Sequence, residues 1–505
     1  MPSVVTHKFR QNNADQFKEA FGEAAPTRMY MFIGGVKAWT NDASPPTPND
    51  AVANTVYAHW RDMLSCKKVE ASDVSYVIPR VNWTSGTLYT EYSDTNSTLF
   101  SNNFYAMVSD YHVYKCLFNN NGGLSTSTPS GTSSSIITTA DGYKWKYMYT
   151  VSAADVLKYN TASYIPVKTL SANDGSNQWS VQQAAVNGSI DIVDVTAGGS
   201  TYNNYHTGTL DAVGNTTTVT LASGASAVND LYNGSMFYTT GGTGSGQQKE
   251  VINYVGSTKV ATLASAVLTG LDGTTTYSVA PKVVIQGDGT GATAIATMNT
   301  TSNTVYSMTV TAVGQDYSQA NVVVSANGSS GVTATAYIAP KTGHGKDAVA
   351  ELGGFNVMVN CKFDKDEGGK FTTSNDFRKI GLLRDPLLAS GTAANGATYD
   401  QTTTFGLNAV SGTFVTDERV DGGTTTSNAY IVQANSSQIK VTSQDGLFIA
   451  GETVTGNTSL ATANVLTHTI GELQKFSGDI LYVENRSPIS RAADQIEDVK
   501  LVIQF

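Results

Sequence analysis

Charge is the first thing this sequence has little of. Of its 505 residues, Asp, Glu, Lys and Arg make up 14%, against roughly 25% in a typical globular chain. Disordered chains join low hydrophobicity to high charge, and with 40% apolar residues this chain has the first without the second. Basic residues number 31 against 41 acidic ones. The resulting net charge of −10 gives no electropositive footprint for phosphate backbones, which disfavours a nucleic-acid partner. Cysteine is sparse: Cys66, Cys116 and Cys361 lie far apart, show no zinc-type spacing and cannot all pair. They read as free structural thiols of a reducing compartment. No run approaches ~18 consecutive apolar residues, so no membrane span is expected. The opening MPSVVTHKFRQNN lacks the apolar stretch of a secretory signal, so triplets such as Asn82-Trp83-Thr84 reflect only the abundance of Asn, Ser and Thr.

What fills the space is small and uncharged, Gly, Thr, Ser, Asn and Ala, together with 25 Tyr. That composition predicts a turn-rich, mainly β chain and argues against a helical bundle or coiled coil. The expected architecture is multidomain: antiparallel β-sandwiches or barrels, with a few short helices near the N-terminus. The length suggests about three domains.

Along the chain, the first 170 residues are conventional. Asn13 is a candidate cap for a short helix carrying Phe17, Ala20 and Phe21, stopped by Gly22 and Pro26. Arg28 to Ile33 reads as a strand. Asp50 is a candidate cap for a second helix with Val52, Val56, Trp60, Met63 and Leu64 on one stripe. Strands follow at Val74 to Ile78, Phe104 to Val108, His112 to Phe118 and Tyr143 to Val151. In the last, Tyr143, Trp145, Tyr147 and Tyr149 share one face of the pleat. Stacking on sugars is one use of such a stripe; packing a sheet face or a protein interface is the commoner one.

The shortage of charge is local. Residues 171–340 hold three Lys (Lys249, Lys259, Lys282), no Arg and nine acids, in short Val/Thr/Tyr strands between Gly-rich turns. Within them VVIQGDGTGATAIA (283–296) resembles VVVSANGSSGVTATA (322–336) once one extra residue is allowed. Farther on, GTFVTDERVDGGTTTSNAYIV (412–432) matches GLFIAGETVTGNTSLATANVL (446–466) without gaps at an offset of 34, with seven of 21 positions identical. Two copies do not make a solenoid; a small sandwich or barrel built from a duplicated unit fits better. The expected organisation is a discontinuous core of residues 1–170, 341–403 and 471–505. Into it are set one or two Gly/Thr-rich β-domains (171–340) and a duplicated β-module (404–470).

Signatures of chemistry are missing. There is no nucleophile elbow, phosphate loop, H-E-x-x-H pair or G-x-G-x-x-G. GGTGSGQ (241–247) and GDGTG (287–291) have the wrong glycine spacing, lack the lysine and lead into strands. The six histidines (7, 59, 112, 206, 344 and 468) are isolated in sequence. Asp364, Asp366 and Glu367 in FDKDEGGKF resemble a cation loop but fail the EF-hand pattern, since Gly368 occupies position five. A solvated hairpin turn is the favoured reading. A glycosidase-type carboxylate pair forms only in the fold, so sequence neither shows nor removes one. No catalytic, cofactor-binding or metal-binding residue is nominated, and no cofactor is expected.

The conventional segments, taken together, resemble the dimer-forming baseplate wedge subunit of contractile-tailed bacteriophages of the T-even type. FSGDILYVENRSPISRAADQIEDVKLVIQF (476–505) carries the resemblance most strongly. VIPRVNW (77–83), VYKCLF (113–118), DGYKWKYMYTV (141–151) and FRKIGLLRDPL (377–387) follow the family's order. Segments 171–340 and 404–470 have no counterpart in it. In the tail motif, Asp479 to Glu484 reads as a strand, Asn485 as a turn and Pro488 as a stop, with Arg486 beside Glu484 as an ion pair. The resemblance implies a non-enzymatic virion protein of the tail baseplate, assembled in the host cytoplasm. It implies a homodimer that bridges other wedge proteins, with no nucleic acid, no membrane and a possible glycan contact through the inserted modules. The alternative is a phage glycan-binding or glycan-cleaving receptor protein.

Overall fold

The computed structural model describes residues 3–23, 27–51, 54–267, 270–325 and 330–505. The chain is mainly β: antiparallel sheets and a closed barrel, with few short helices. It splits into two compact units, one of residues 1–78, 153–167 and 354–505, the other of residues 79–152 and 168–353.

In the first unit, a five-stranded sheet runs in the order Thr398–Asp400, Met63–Val69, Met29–Gly34, Asp376–Arg384, Asp479–Ser490. A four-stranded sheet orders Ile496–Gln504, Asn356–Asp364, Val74–Pro79, Tyr164–Val167. Alternation sends Met29, Met31 and Ile33 into one core with Val357, Val359, Phe363, Phe377 and Leu382. Tyr30 and Phe32 enter a second core with Trp60, Met63 and Cys66. Strand Met29–Gly34 is therefore buried on both faces, which explains its unbroken apolar run.

Several local expectations are corrected here. The first helix spans His7–Glu19 and starts earlier than Asn13, because the Thr6 side chain caps it by accepting from the Phe9 N–H at 3.2 Å. The second helix, Asn54–Asp62, ends before Met63 and Leu64, which open the next strand instead. Pairing of that strand with Met29–Gly34 starts at Met63 opposite Gly34, so the helical stripe is cut by the sheet. Val52 and Pro26 lie outside the described residues. FDKDEGGKF turns but makes no hairpin: strand Asn356–Asp364 lies in one sheet and the next, Asp376–Arg384, in the other.

The tail motif also differs from its expected form. Strand Asp479–Ser490 continues through Asn485 and Pro488 to Ser490. Its register against Asp376–Arg384 jumps from Phe377↔Ile489 to Lys379↔Asn485. Pro488 thus falls in a bulge of an edge strand, where a missing N–H costs no ladder bond.

The barrel closes in the order 403–411, 438–445, 428–434, 419–422, 453–456, 462–469. Each sequence copy, with the strand that precedes it, supplies three strands. Glu418 and Glu452, equivalent across the offset of 34, are both buried. Glu418 accepts from the Val415 N–H (2.7 Å) in its own copy, and from the Thr458 and Ser459 N–H groups (3.1 and 2.8 Å) in the other. Glu452 accepts from the Ile449 N–H (2.7 Å) and reaches back to the Thr424 and Thr425 N–H groups and the Thr425 hydroxyl. Each copy's carboxylate ties down the other copy's turn.

The second unit carries another duplication, only half visible in sequence. Strands Lys282–Gly287 and Ala320–Ser325, the recognised repeat, pair antiparallel with each other, Val283 opposite Val324. The strands that complete them, Ile190–Ser200 and Thr304–Gln315, share VTAxGxxY as Val195 to Tyr202 and Val310 to Tyr317. Thr201 and Asp316 both take a left-handed conformation, φ 63° and 62°. So do Gly199 and Gly314, where a Cβ would come within 2.8 Å of the Tyr202 or Tyr317 ring. The Ala292 N–H of the first copy donates to the Tyr317 hydroxyl of the second at 3.3 Å, and the Val332 N–H of the second faces the Tyr202 hydroxyl of the first. Between the halves of the first copy, a seven-stranded sheet with its own core of Leu221, Tyr232, Phe237, Tyr254 and Tyr277 occupies residues 206–280.

Candidate functional site

The aromatic stripe is interior. Tyr143, Trp145 and Tyr147 join Tyr89, Tyr114 and Cys116 in one buried cluster. Tyr149 is buried as well, but it stands past a bulge at Met148, where Val113 pairs with Tyr149 and Tyr114 with Tyr147. Rings packed this way present no face to a sugar.

On the neighbouring strand, Lys115 is fully buried and its ammonium meets Glu351. Glu351 also accepts from the Gly345 and Asp347 N–H groups (2.8 and 3.2 Å). Burial alone would raise its carboxyl; Lys115 and His344 outweigh that and hold it at about 2. Tyr92 completes the cluster, 4.9 Å below the Lys115 ammonium and edge-on to His344. With its acceptors occupied, this carboxylate is a staple rather than an acid or base. His206 is bonded to the Tyr277 hydroxyl at 2.8 Å and His112 to the Thr150 hydroxyl at 2.8 Å. Glu367 of the acidic loop is held by the Lys67 ammonium at 2.6 Å and the Asp364 N–H at 2.7 Å. Among the described residues no group of three or more His, Cys, Asp or Glu is placed to hold a metal ion, and no helix is long and apolar enough to cross a membrane. All three cysteines are buried and free.

Two arginine staples in the first unit carried no sequence signal, because their partners are remote or unremarkable. Arg491, 1% exposed, forks onto Glu497 with two 3.0 Å bonds and donates to the Thr372 and Lys365 carbonyls. Arg378 forks onto Asp42 at 3.0 and 2.9 Å and donates to the Val36 carbonyl at 2.7 Å.

The tail motif lies at the surface. Arg486 pairs with Glu484 at 3.4 Å, both half exposed. Asn485 Nδ2 donates to the Pro46 carbonyl at 2.8 Å, and Trp39 Nε1 to the Arg486 carbonyl at 2.9 Å. Those two bonds hold the strand to the segment around Trp39 and Pro46, and beyond Asp376–Arg384 it has no second strand partner among the described residues. Close by in sequence, Phe476 holds a left-handed φ of 68° and packs edge to face with Tyr57 at 4.5 Å, each about half exposed. Exposed aromatic pairs and unpaired sheet edges are the kinds of surface on which protein assembly is commonly built.

The family model Phage-Gp8, described as bacteriophage T4 Gp8, matches residues 3–121. That stretch includes VIPRVNW and VYKCLF; the tail motif lies outside it. No curated protein matches the chain. Over residues 3–121 the chain is similar to Gp8, a T4-type baseplate wedge protein, and the match supports a structural role in a phage baseplate wedge.

Proposed function

We propose that this chain bridges neighbouring wedge proteins as a homodimer in the virion's tail baseplate, is assembled in the host cytoplasm, and transmits the rearrangement of the baseplate on host contact. The observation that carries the reading is the match to the wedge family over residues 3–121. In support, the buried charges found are spent on staples, and the surface includes an edge strand and an exposed aromatic pair. Strand Asp479–Ser490 can pair across a twofold axis with its own copy, since a symmetric dimer uses the same patch twice. In the same reading, 171–340 and 404–470 are modules set into a discontinuous wedge-like core. Light scattering on the purified chain of 53.3 kDa tests this: a dimer that co-assembles with wedge proteins is expected. A monodisperse monomer that binds none of them contradicts it.

A further inference from the structure

In the second unit a groove of about 410 Å³ runs between the loops around Asn120 and Lys144 and the duplicated module. That volume falls within the ~300–1,000 Å³ of small-ligand sites. Its walls carry Asn120, Asn121, Lys144, Asp194, Tyr306 and Thr309. Tyr306 is 65% exposed, and its hydroxyl has no hydrogen bond among the described residues. The Lys144 ammonium lies over the Phe118 ring at 5.6 Å and has no ion-pair partner among the described residues. Asp194 makes no ion pair there either; burial raises its carboxyl against the Val195 N–H, and the Glu91 carboxyl and Tyr337 hydroxyl are its further electrostatic neighbours. Asp141, in the same wall, is occupied: it accepts from the Thr126 and Ser127 N–H groups at 2.7 and 2.9 Å.

The groove thus offers one open aromatic face, one unpaired ammonium, one unpaired carboxylate and two side-chain amides, of which Asn120 Nδ2 already donates to the Asp141 carbonyl at 3.0 Å. A sugar ring matches that set. Its C–H face stacks on Tyr306 while its hydroxyls both donate to Asp194 and accept from Lys144 and the asparagines. A polyanion is disfavoured by two carboxylates against one lysine, and an apolar ligand by the polar rim. We infer that this groove is a saccharide-binding subsite of one or two sugar units, independent of the wedge contacts.

Saturation-transfer NMR on the full chain, probed with the methyl glycosides of glucose, galactose and N-acetylglucosamine, tests it. Transfer is expected to at least one probe, strongest on one ring face. Tyr306→Ala should weaken binding roughly tenfold. Tyr306→Phe should keep it within about twofold, and Tyr57→Ala should leave it unchanged. Tyr306 is exposed, so its variants retain the wild-type circular dichroism. Absence of transfer to all three probes, transfer indifferent to Tyr306→Ala, or preference for a single-stranded oligonucleotide overturns the inference.

Discussion

The barrel at 403–469 and the duplicated module at 190–338 solve one problem with different chemistry. Each is built from two copies of a β-unit, and each makes one copy complete the other. The barrel does so with buried carboxylates, Glu418 and Glu452, crossing to the partner copy's turn. The module does so with tyrosines, Tyr202 and Tyr317, laid over left-handed glycines and directed at the partner copy's backbone N–H. A carboxylate accepts several N–H bonds at once but must be kept ionised while buried; a phenol accepts fewer and contributes ring area instead. The scarcity of charge in 171–340 is therefore a change in how polar backbone is satisfied, not a lack of interior order.

The largest effect should come from the rings. Tyr202→Ala or Tyr317→Ala should cost about 3–5 kcal/mol in denaturant unfolding, whereas the Phe variants should cost about 1 kcal/mol. Equal losses for Phe and Ala would show that the hydroxyl, not the ring, joins the copies. Next, Glu418→Ala orphans three backbone donors and should cost about 3 kcal/mol, with Glu418→Gln costing less because one oxygen remains. A Gln variant as damaging as Ala would make charge the essential property.

The smallest effect is in pH, and there two adjacent residues should act in opposite directions. Burial would raise the Glu418 carboxyl, but the Ser459, Val415 and Thr458 N–H groups outweigh it and hold it below its ordinary value. Its stabilisation is present above the unfolded value of ~4.3 and is lost as pH falls through the folded value. Asp417 is pushed up to about 6 by burial and then by Asp376. Its stabilisation is present below ~3.9 and is lost as pH rises through about 6. Thermal melts from pH 3 to 8 should show Glu418→Gln flattening the acid limb and Asp417→Asn the neutral one. Melts of the tyrosine variants should keep the wild-type pH profile.

The barrel duplication was legible because its copies align without a gap. In the other module only 283–296 and 322–336 stood out, since the sheet at 206–280 interrupts the first copy and leaves VTAxGxxY too short to notice. The aromatic stripe was legible as alternation, its bulge at Met148 was not, because register depends on the partner strand. Likewise FDKDEGGKF announces a turn, while its neighbouring strands find partners hundreds of residues away. The staple of Arg378 and the open groove at Tyr306 exist only once distant segments meet, and Arg491, six residues from Glu497, is buried only against the remote Thr372 and Lys365 carbonyls. The wedge resemblance rests on short motifs in order, and the family match covers the first two along the chain, VIPRVNW and VYKCLF.

The most direct test of the central claim is a cryo-electron-microscopy map of the intact tail. The account predicts density for both units within the baseplate wedges, in pairs of this chain contacting other wedge proteins. Density confined to a fibre or spike tip, with none in the wedges, would contradict it.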